Sequence, residues 1–217
     1  ATAELAFGLV LALDRRLKPA FAAADRGDWA RERFTGFQLF GKTLGVLGLG
    51  RLGGISVRIG QGFGMRVIAH DVRPVSMAGV EMVDLVTLLS RADVLTIHVH
   101  LTPETEGLVD AAALARMKRS AILINTSRGR IVDEAALADA LRRGIIAGAG
   151  LDVIDGEWLS DEERMRHPLV VHARNHDNLV ISPHIGGATV ESIYGARVFM
   201  ARKVADWLLS QPVAAKV

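Results

Sequence analysis

Cysteine is absent from this chain of 217 residues. That excludes disulfides, thiol nucleophiles and cysteine-based metal centres. Long apolar runs are absent too. The aliphatic stretch Leu5–Leu13 is too short to span a bilayer and has no basic flank before it, so neither a membrane anchor nor a signal peptide is expected. Neither sign of charge dominates: 26 Lys and Arg stand against 24 Asp and Glu, interspersed along the chain, which gives no basis for a nucleic-acid surface. The densest basic run, Arg15-Arg16-Leu17-Lys18, suits a helix end, where cations complement the dipole. There is no internal repeat and no low-complexity segment. H-E-x-x-H is also lacking. His98 and His100, and His172 and His176, have spacings that suit a metal, but without a carboxylate motif the expectation is no metal and histidines in surface or loop positions. A soluble, cytoplasmic protein is the default expectation.

Half of the residues are apolar, ample for a core covered on both faces, and the length suits one large domain or one domain plus part of another. The most informative stretch is Thr43–Gly53, TLGVLGLGRLG. Leu44–Leu47 reads as a short strand, and Gly48, Gly50 and Gly53 form a G-x-G-x-x-G turn into a helix from Arg51 to about Phe63, with Gly64 as its cap. Met65–Asp71 reads as a second strand ending in a carboxylate, 18 residues after Gly53. A dinucleotide-binding βαβ unit requires this order. The glycines give the tight turn, the close approach of a pyrophosphate and the close packing of helix on strand, while the helix N-terminus offers N–H groups to the phosphates. Asp71 can accept from the adenosine ribose and would repel the extra phosphate of NADP. Arg73 partly offsets that charge, so NAD is favoured over NADP.

Strands and helices alternate from there on. Ala1 to about Ala24 reads as one helix, placed between domains or subunits because partners for its apolar face are not apparent in the chain. Since the chain starts at Ala, directly in that helix, a front segment is expected to precede it. A polar connection, 27–40, leads to the fingerprint. Further helices are expected at Asp84–Arg91, Ala111–Met117 and Asp133–Arg143, and further strands at Asp93–Val99, Ala121–Asn125, Ile146–Val153 and Leu179–Ser182. A polar helical excursion spans Ser160–His176, and Val190–Leu209 closes the chain as an amphipathic helix. Apolar strands alternating with helices indicate an α/β fold, a Rossmann-type doubly wound parallel sheet. The expected organisation is a helix over 1–24, a nucleotide-binding domain over 25–189, and a helix and tail over 190–217.

Ligands of such sheets sit at the C-terminal strand ends. Three of those ends carry complementary groups: Thr126-Ser127-Arg128-Gly129, then Asp152 with Glu157 five residues on, then Pro183-His184-Ile185-Gly186-Gly187. Arg128 can grip a carboxylate bidentately and polarise a neighbouring carbonyl. His184 can exchange a hydroxyl proton near neutral pH, and a carboxylate against it would fix its tautomer.

With these residues in view, the chain resembles the D-isomer-specific 2-hydroxyacid dehydrogenases. The resemblance rests on Thr2–Ala6, Gly41–Gly53, His98–Thr105, Ile124–Arg130, Gly150–Val153 and Ser182–Thr189, and it is closest to the phosphoglycerate-dehydrogenase-like branch. It implies NAD as cofactor and Arg128, Glu157 and His184 as the catalytic set. It also implies Gly48, Gly50, Arg51, Leu52 and Gly53 at the pyrophosphate and Asp71 at the ribose. Val99, His100 and Thr105 would line the cofactor, with Thr126, Arg128, Asp152 and His184 around the nicotinamide and Ser127, Gly186 and Gly187 beside it. The implied reaction interconverts a small 2-hydroxy acid and its 2-oxo acid by hydride transfer, in a homodimer paired through the nucleotide domains. A substrate domain would precede the first helix. Three positions depart from the family pattern: His100 and Trp158 stand where proline is usual, and Ser160–His176 is an insertion. A non-catalytic NAD-sensing regulator and a chemically inactive dinucleotide module are the alternative functions.

Overall fold

The computed structural model describes residues 1–210. Among them, the strands are β1 (Thr43–Leu47), β2 (Arg66–His70), β3 (Val80–Met82), β4 (Val94–Ile97), β5 (Ile122–Asn125), β6 (Gly148–Leu151) and β7 (Leu179–Ile181). They form one sheet, every pairing parallel, in the order β3-β2-β1-β4-β5-β6-β7. The chain runs outward from β1 to β3 and then returns to β4 on the other side of β1, so the strand order reverses beside the glycine-rich turn.

The helices are α1 (Thr2–Asp14), α2 (Leu17–Ala24), α3 (Arg51–Gly62), α4 (Leu85–Arg91), α5 (Ala111–Arg116), α6 (Glu134–Arg143), α7 (Asp161–Arg166), α8 (Pro168–Asn175) and α9 (Val190–Ser210). Acidic N-caps open α4, α5 and α6: Asp84, Asp110 and Asp133 each accept a backbone N–H with the side chain. Successive strand residues point to opposite faces and feed two cores. Leu95, Ile97 and Leu123 pack toward the layer of α4, α5, α6 and α8, whereas Leu44, Val46 and Ile124 pack toward α1 and α3. This is the doubly wound sheet that the sequence predicts. At Gly53 the helix comes so close to β1 that a Cβ would lie 2.1 Å from Gly48 O, which only glycine permits.

Several expectations need correction. The helix expected over residues 1–24 is two helices, broken where Arg16 takes φ 51°. Pro19 lies near the start of the second, and its ring would clash with the Arg15 carbonyl in a continuous helix. The apolar face of α1 has its partners within the chain. Phe7, Leu9 and Val10 are buried against the sheet and α3, and the Phe7 ring stacks on Phe63 with centroids 5.6 Å apart. The polar excursion is likewise two helices, separated at His167 with Pro168 opening α8. The edge strand β3 lies in a stretch for which the sequence suggests no element. The tail beyond residue 210, included in the 190–217 segment, lies outside the described residues.

Candidate functional site

The turn from β1 into α3 is built to receive an anion. No side chain caps the N-terminus of α3, and a Cβ at Gly50 would meet no atom closer than Arg73 Nη2 at 3.9 Å. The backbone there is accessible from above, as a pyrophosphate requires. Arg51 and Leu52 are exposed beside it, and Gly53 is buried beneath.

At the end of β2, Asp71 is almost fully enclosed, its side chain 6% exposed. Its Oδ2 accepts the Leu49 N–H at 2.8 Å and Arg73 Nη2 at 2.9 Å, while Oδ1 accepts the Arg73 N–H and Nε–H. The guanidinium, chiefly, holds this carboxyl at about 2. The predicted ribose acceptor is thus tied both to the glycine-rich turn and to an arginine lying over it.

Beyond β4, the Ser127 hydroxyl donates to Val99 O. Thr105 Oγ1 donates to His100 O at 2.6 Å and accepts the Thr102 N–H, closing the turn that carries the exposed His100. At the end of β5, Asn125 shapes the next turn: Nδ2 donates to Arg128 O at 2.8 Å and Oδ1 accepts the Ser127 N–H at 3.0 Å. Arg128 is exposed and, among the described residues, forms no ion pair; Nη1 donates to Ser127 O. Thr126 Oγ1 is buried and has no hydrogen-bond partner among the described residues, the kind of polar atom that a bound amide group would satisfy.

His184 and Glu157 meet: Nδ1 of the ring lies 2.8 Å from Oε2 of the carboxylate. The exposed Trp158 leaves this pairing intact. His184 adopts φ 53°, an uncommon conformation for a residue with a side chain. Asp152 holds it there. That buried carboxylate accepts Ser182 Oγ–H and the Ile185 N–H on Oδ1 and the Gly186 N–H on Oδ2, while its own carbonyl accepts the His184 N–H. Gly187 is exposed one residue further on. Both Asp152 oxygens are therefore engaged with the His184 loop. A cleft of about 1040 Å³ opens beside the pair, with Lys18, Arg164 and Arg174 in its wall. No hydrogen bond joins Arg128 to the pair among the described residues.

The histidine expectation fails at one position, His172. His98 is partly buried at the end of β4, with Nε2 between Ser56 Oγ (2.8 Å) and Thr96 Oγ1 (3.0 Å), and burial lowers it to about 4. His172 is buried, donates its Nε2–H to Asn178 Oδ1 at 2.8 Å, and stacks on His176. Asn125 and Ser182 are supporting residues that sequence reasoning passed over. Their signal was a polar residue at a buried strand end.

An α/β domain with a glycine-rich turn at the strand-order reversal and an acid at the end of β2 is a dinucleotide-binding domain, and this one also carries a carboxylate–imidazole pair at the far strand ends. The chain belongs to the D-isomer specific 2-hydroxyacid dehydrogenase family, whose NAD binding domain model matches residues 7–186. It is 42% identical over 207 residues to the D-3-phosphoglycerate dehydrogenase of Methanocaldococcus jannaschii, covering 93% of this chain and 38% of that protein. It is 41% identical to the glyoxylate reductase of Thermococcus litoralis, covering 94% of this chain and 62% of the relative. The D-lactate dehydrogenase of Aquifex aeolicus, solved with NAD and lactic acid, superposes with a TM-score of 0.86 at 30% identity, covering 95% of this chain and 66% of that one. The chain thus spans less than two thirds of the length of these curated relatives.

Proposed function

We propose that the protein is an NAD-dependent oxidoreductase that interconverts a small D-2-hydroxy acid and its 2-oxo acid, working as a cytoplasmic homodimer. The observation that carries the reading is the 2.8 Å contact between His184 Nδ1 and Glu157 Oε2. With the carboxylate accepting from Nδ1–H, the ring tautomer is fixed and Nε2 is the nitrogen that exchanges a proton with the substrate oxygen. Arg128, with no carboxylate of its own, would grip the substrate carboxylate and polarise the C2 carbonyl. Gly48, Gly50 and the N-terminus of α3 would hold the pyrophosphate, Asp71 the ribose, and the unpartnered Thr126 hydroxyl the nicotinamide side. When bound, the nicotinamide supplies or accepts the hydride. His184 gives the proton during reduction and takes it back during oxidation, and Glu157 stabilises the imidazolium between those events.

Residues 25–189 would be the cofactor domain. Residues 1–24 and 190–217 would lead toward a substrate domain like the additional length of the relatives. On α9, Val190, Tyr194 and Phe199 are exposed, as such a role requires. The exposed Phe21, Trp29, Phe37 and Phe40 give an apolar surface suited to pairing two copies.

The test is NADH oxidation by the natural full-length protein against a panel of 2-oxo acids. His184→Asn should lower kcat by roughly 10²–10⁴-fold with the NADH Kd unchanged. Arg128→Ala should act mainly on the KM for the 2-oxo acid. A parent protein that binds NADH but reduces no member of the panel would replace this reading with that of an NAD-sensing regulator.

A further inference from the structure

We propose that Glu134 and His167 are positioning residues that hold Glu157 at His184. The inference rests on the reading of Glu157 and His184 as the acid–base pair. Glu134 is the first residue of α6, yet the helix does not need it as a cap, because Asp133 already accepts the Ala136 N–H at 2.9 Å. The Glu134 side chain is instead 14% exposed and turned toward the loop that follows β6. Its Oε1 accepts the Asp155 N–H at 2.8 Å, two residues before Glu157. Its Oε2 lies 3.1 Å from His167 Nε2.

The ring of His167 is fixed from its other side. Nδ1 accepts the Leu169 N–H at 3.3 Å at the start of α8, which leaves the proton on Nε2, the nitrogen nearer Glu134. The loop between them is pressed from two further directions. A Cβ at Gly129, the residue after Arg128, would lie 2.3 Å from Asp155 N, so the arginine turn rests directly on this loop. A Cβ at Gly156, which has φ 94°, would lie 2.8 Å from Leu159 Cδ1, just before α7, with the His167 ring behind it at 3.9 Å, an ordinary contact distance. Asp155-Gly156-Glu157 is thus clamped between α6, the arginine turn and the α7–α8 segment.

Burial raises Glu134 to about 7 and lowers His167, and Asp155 is the charged neighbour that acts on both. A carboxylate and an imidazole kept out of water, where an apolar pair would fill the space, are costly to the fold. Orientation of a backbone N–H two residues from the reacting acid is a use that apolar side chains cannot supply. It corresponds to the outer residues that aim a reactive group in other sites. Displacing Glu157 by about an ångström would break its hydrogen bond to Nδ1.

The experiment uses NMR of the protein at pH 8 and compares the parent with Glu134→Met and Glu134→Gln. Methionine keeps the volume and loses the acceptors, whereas glutamine keeps an oxygen for the Asp155 N–H. In Glu134→Met, exchange of the Asp155 amide should accelerate on the order of tenfold, the loss of one hydrogen bond. The ring nitrogen signals of His184 should also lose the signature of Nδ1–H bound to a carboxylate. Glu134→Gln should retain both. NADH affinity, unchanged in all three, certifies the fold. Unaltered His184 signals in Glu134→Met would overturn the proposal. So would glutamine disturbing them as much as methionine does, which would mark a packing effect. These readouts do not depend on turnover. An absence of 2-oxo acid reduction would therefore count against the proposed function and not against the positioning role.

Discussion

At the scale of the residue, cofactor choice turns on Asp71 and Arg73. The carboxylate is ionised far below neutral pH and already bound by Arg73, so its charge toward an incoming 2′-phosphate is partly neutralised. A phosphate that drew Arg73 away would expose Asp71 fully, and like charges at that distance cost about 1–3 kcal/mol near a partly exposed site. NAD(H) should therefore bind roughly 5- to 150-fold more tightly than NADP(H), and Asp71→Ala should narrow the gap by freeing Arg73 for the phosphate. Calorimetric titration of both cofactors into both proteins decides this, and equal parent affinities would refute it. Asp71 could be found in the sequence from its distance to the glycines. Its pairing with Arg73 was only half legible, because i and i+2 residues on a strand usually share a face without folding back on each other, and the geometry depends on the bend after His70.

At the scale of the element, the loop after β6 draws its order from α6 and α8, and its stability should depend on pH with a defined sign. The folded-state value of Glu134, about 7, lies above its ordinary 4.5. A raised carboxyl favours folding while protonated, so the contribution is complete below about 4.5 and is lost as pH rises through 7. Relative to Glu134→Gln, the parent should lose about 1–3 kcal/mol of stability across that window and nothing more above it. Urea unfolding at pH 4.5, 6 and 8 measures this, and parallel stability curves would exclude a raised Glu134. The catalytic candidates were legible because each follows a strand of continuous apolar residues. The clamp was not, since Glu134 and His167 are 33 positions apart and meet only through the packing of α6 on α8. Other misses had local causes. β3 has only three residues, is partly exposed and lies at the sheet edge, so neither run length nor periodicity marks it. The breaks at Arg16 and His167 did carry a signal, Pro19 and Pro168, which the helical pattern around them outweighed.

At the scale of the whole molecule, the exposed aromatic side chains between α2 and β1 call for a partner. If a second copy covers them, the parent should sediment as a dimer at micromolar concentration, and Trp29→Asp with Phe37→Asp should sediment as a monomer that still binds NADH. A parent that runs as a monomer would reject the interface. The strand order has a different consequence. The glycine-rich turn and Asp71 hang from β1 and β2, whereas Arg128, Glu157 and His184 hang from β5, β6 and β7, with β4 between the two groups. On the proposed reading, one half of the sheet edge discriminates NAD from NADP and the other handles the proton, although Arg128 and His184 also border the nicotinamide. Substitutions in the two halves should combine nearly additively. A lineage built on this sheet can therefore exchange its coenzyme or retune its chemistry one at a time, each inherited without disturbing the other.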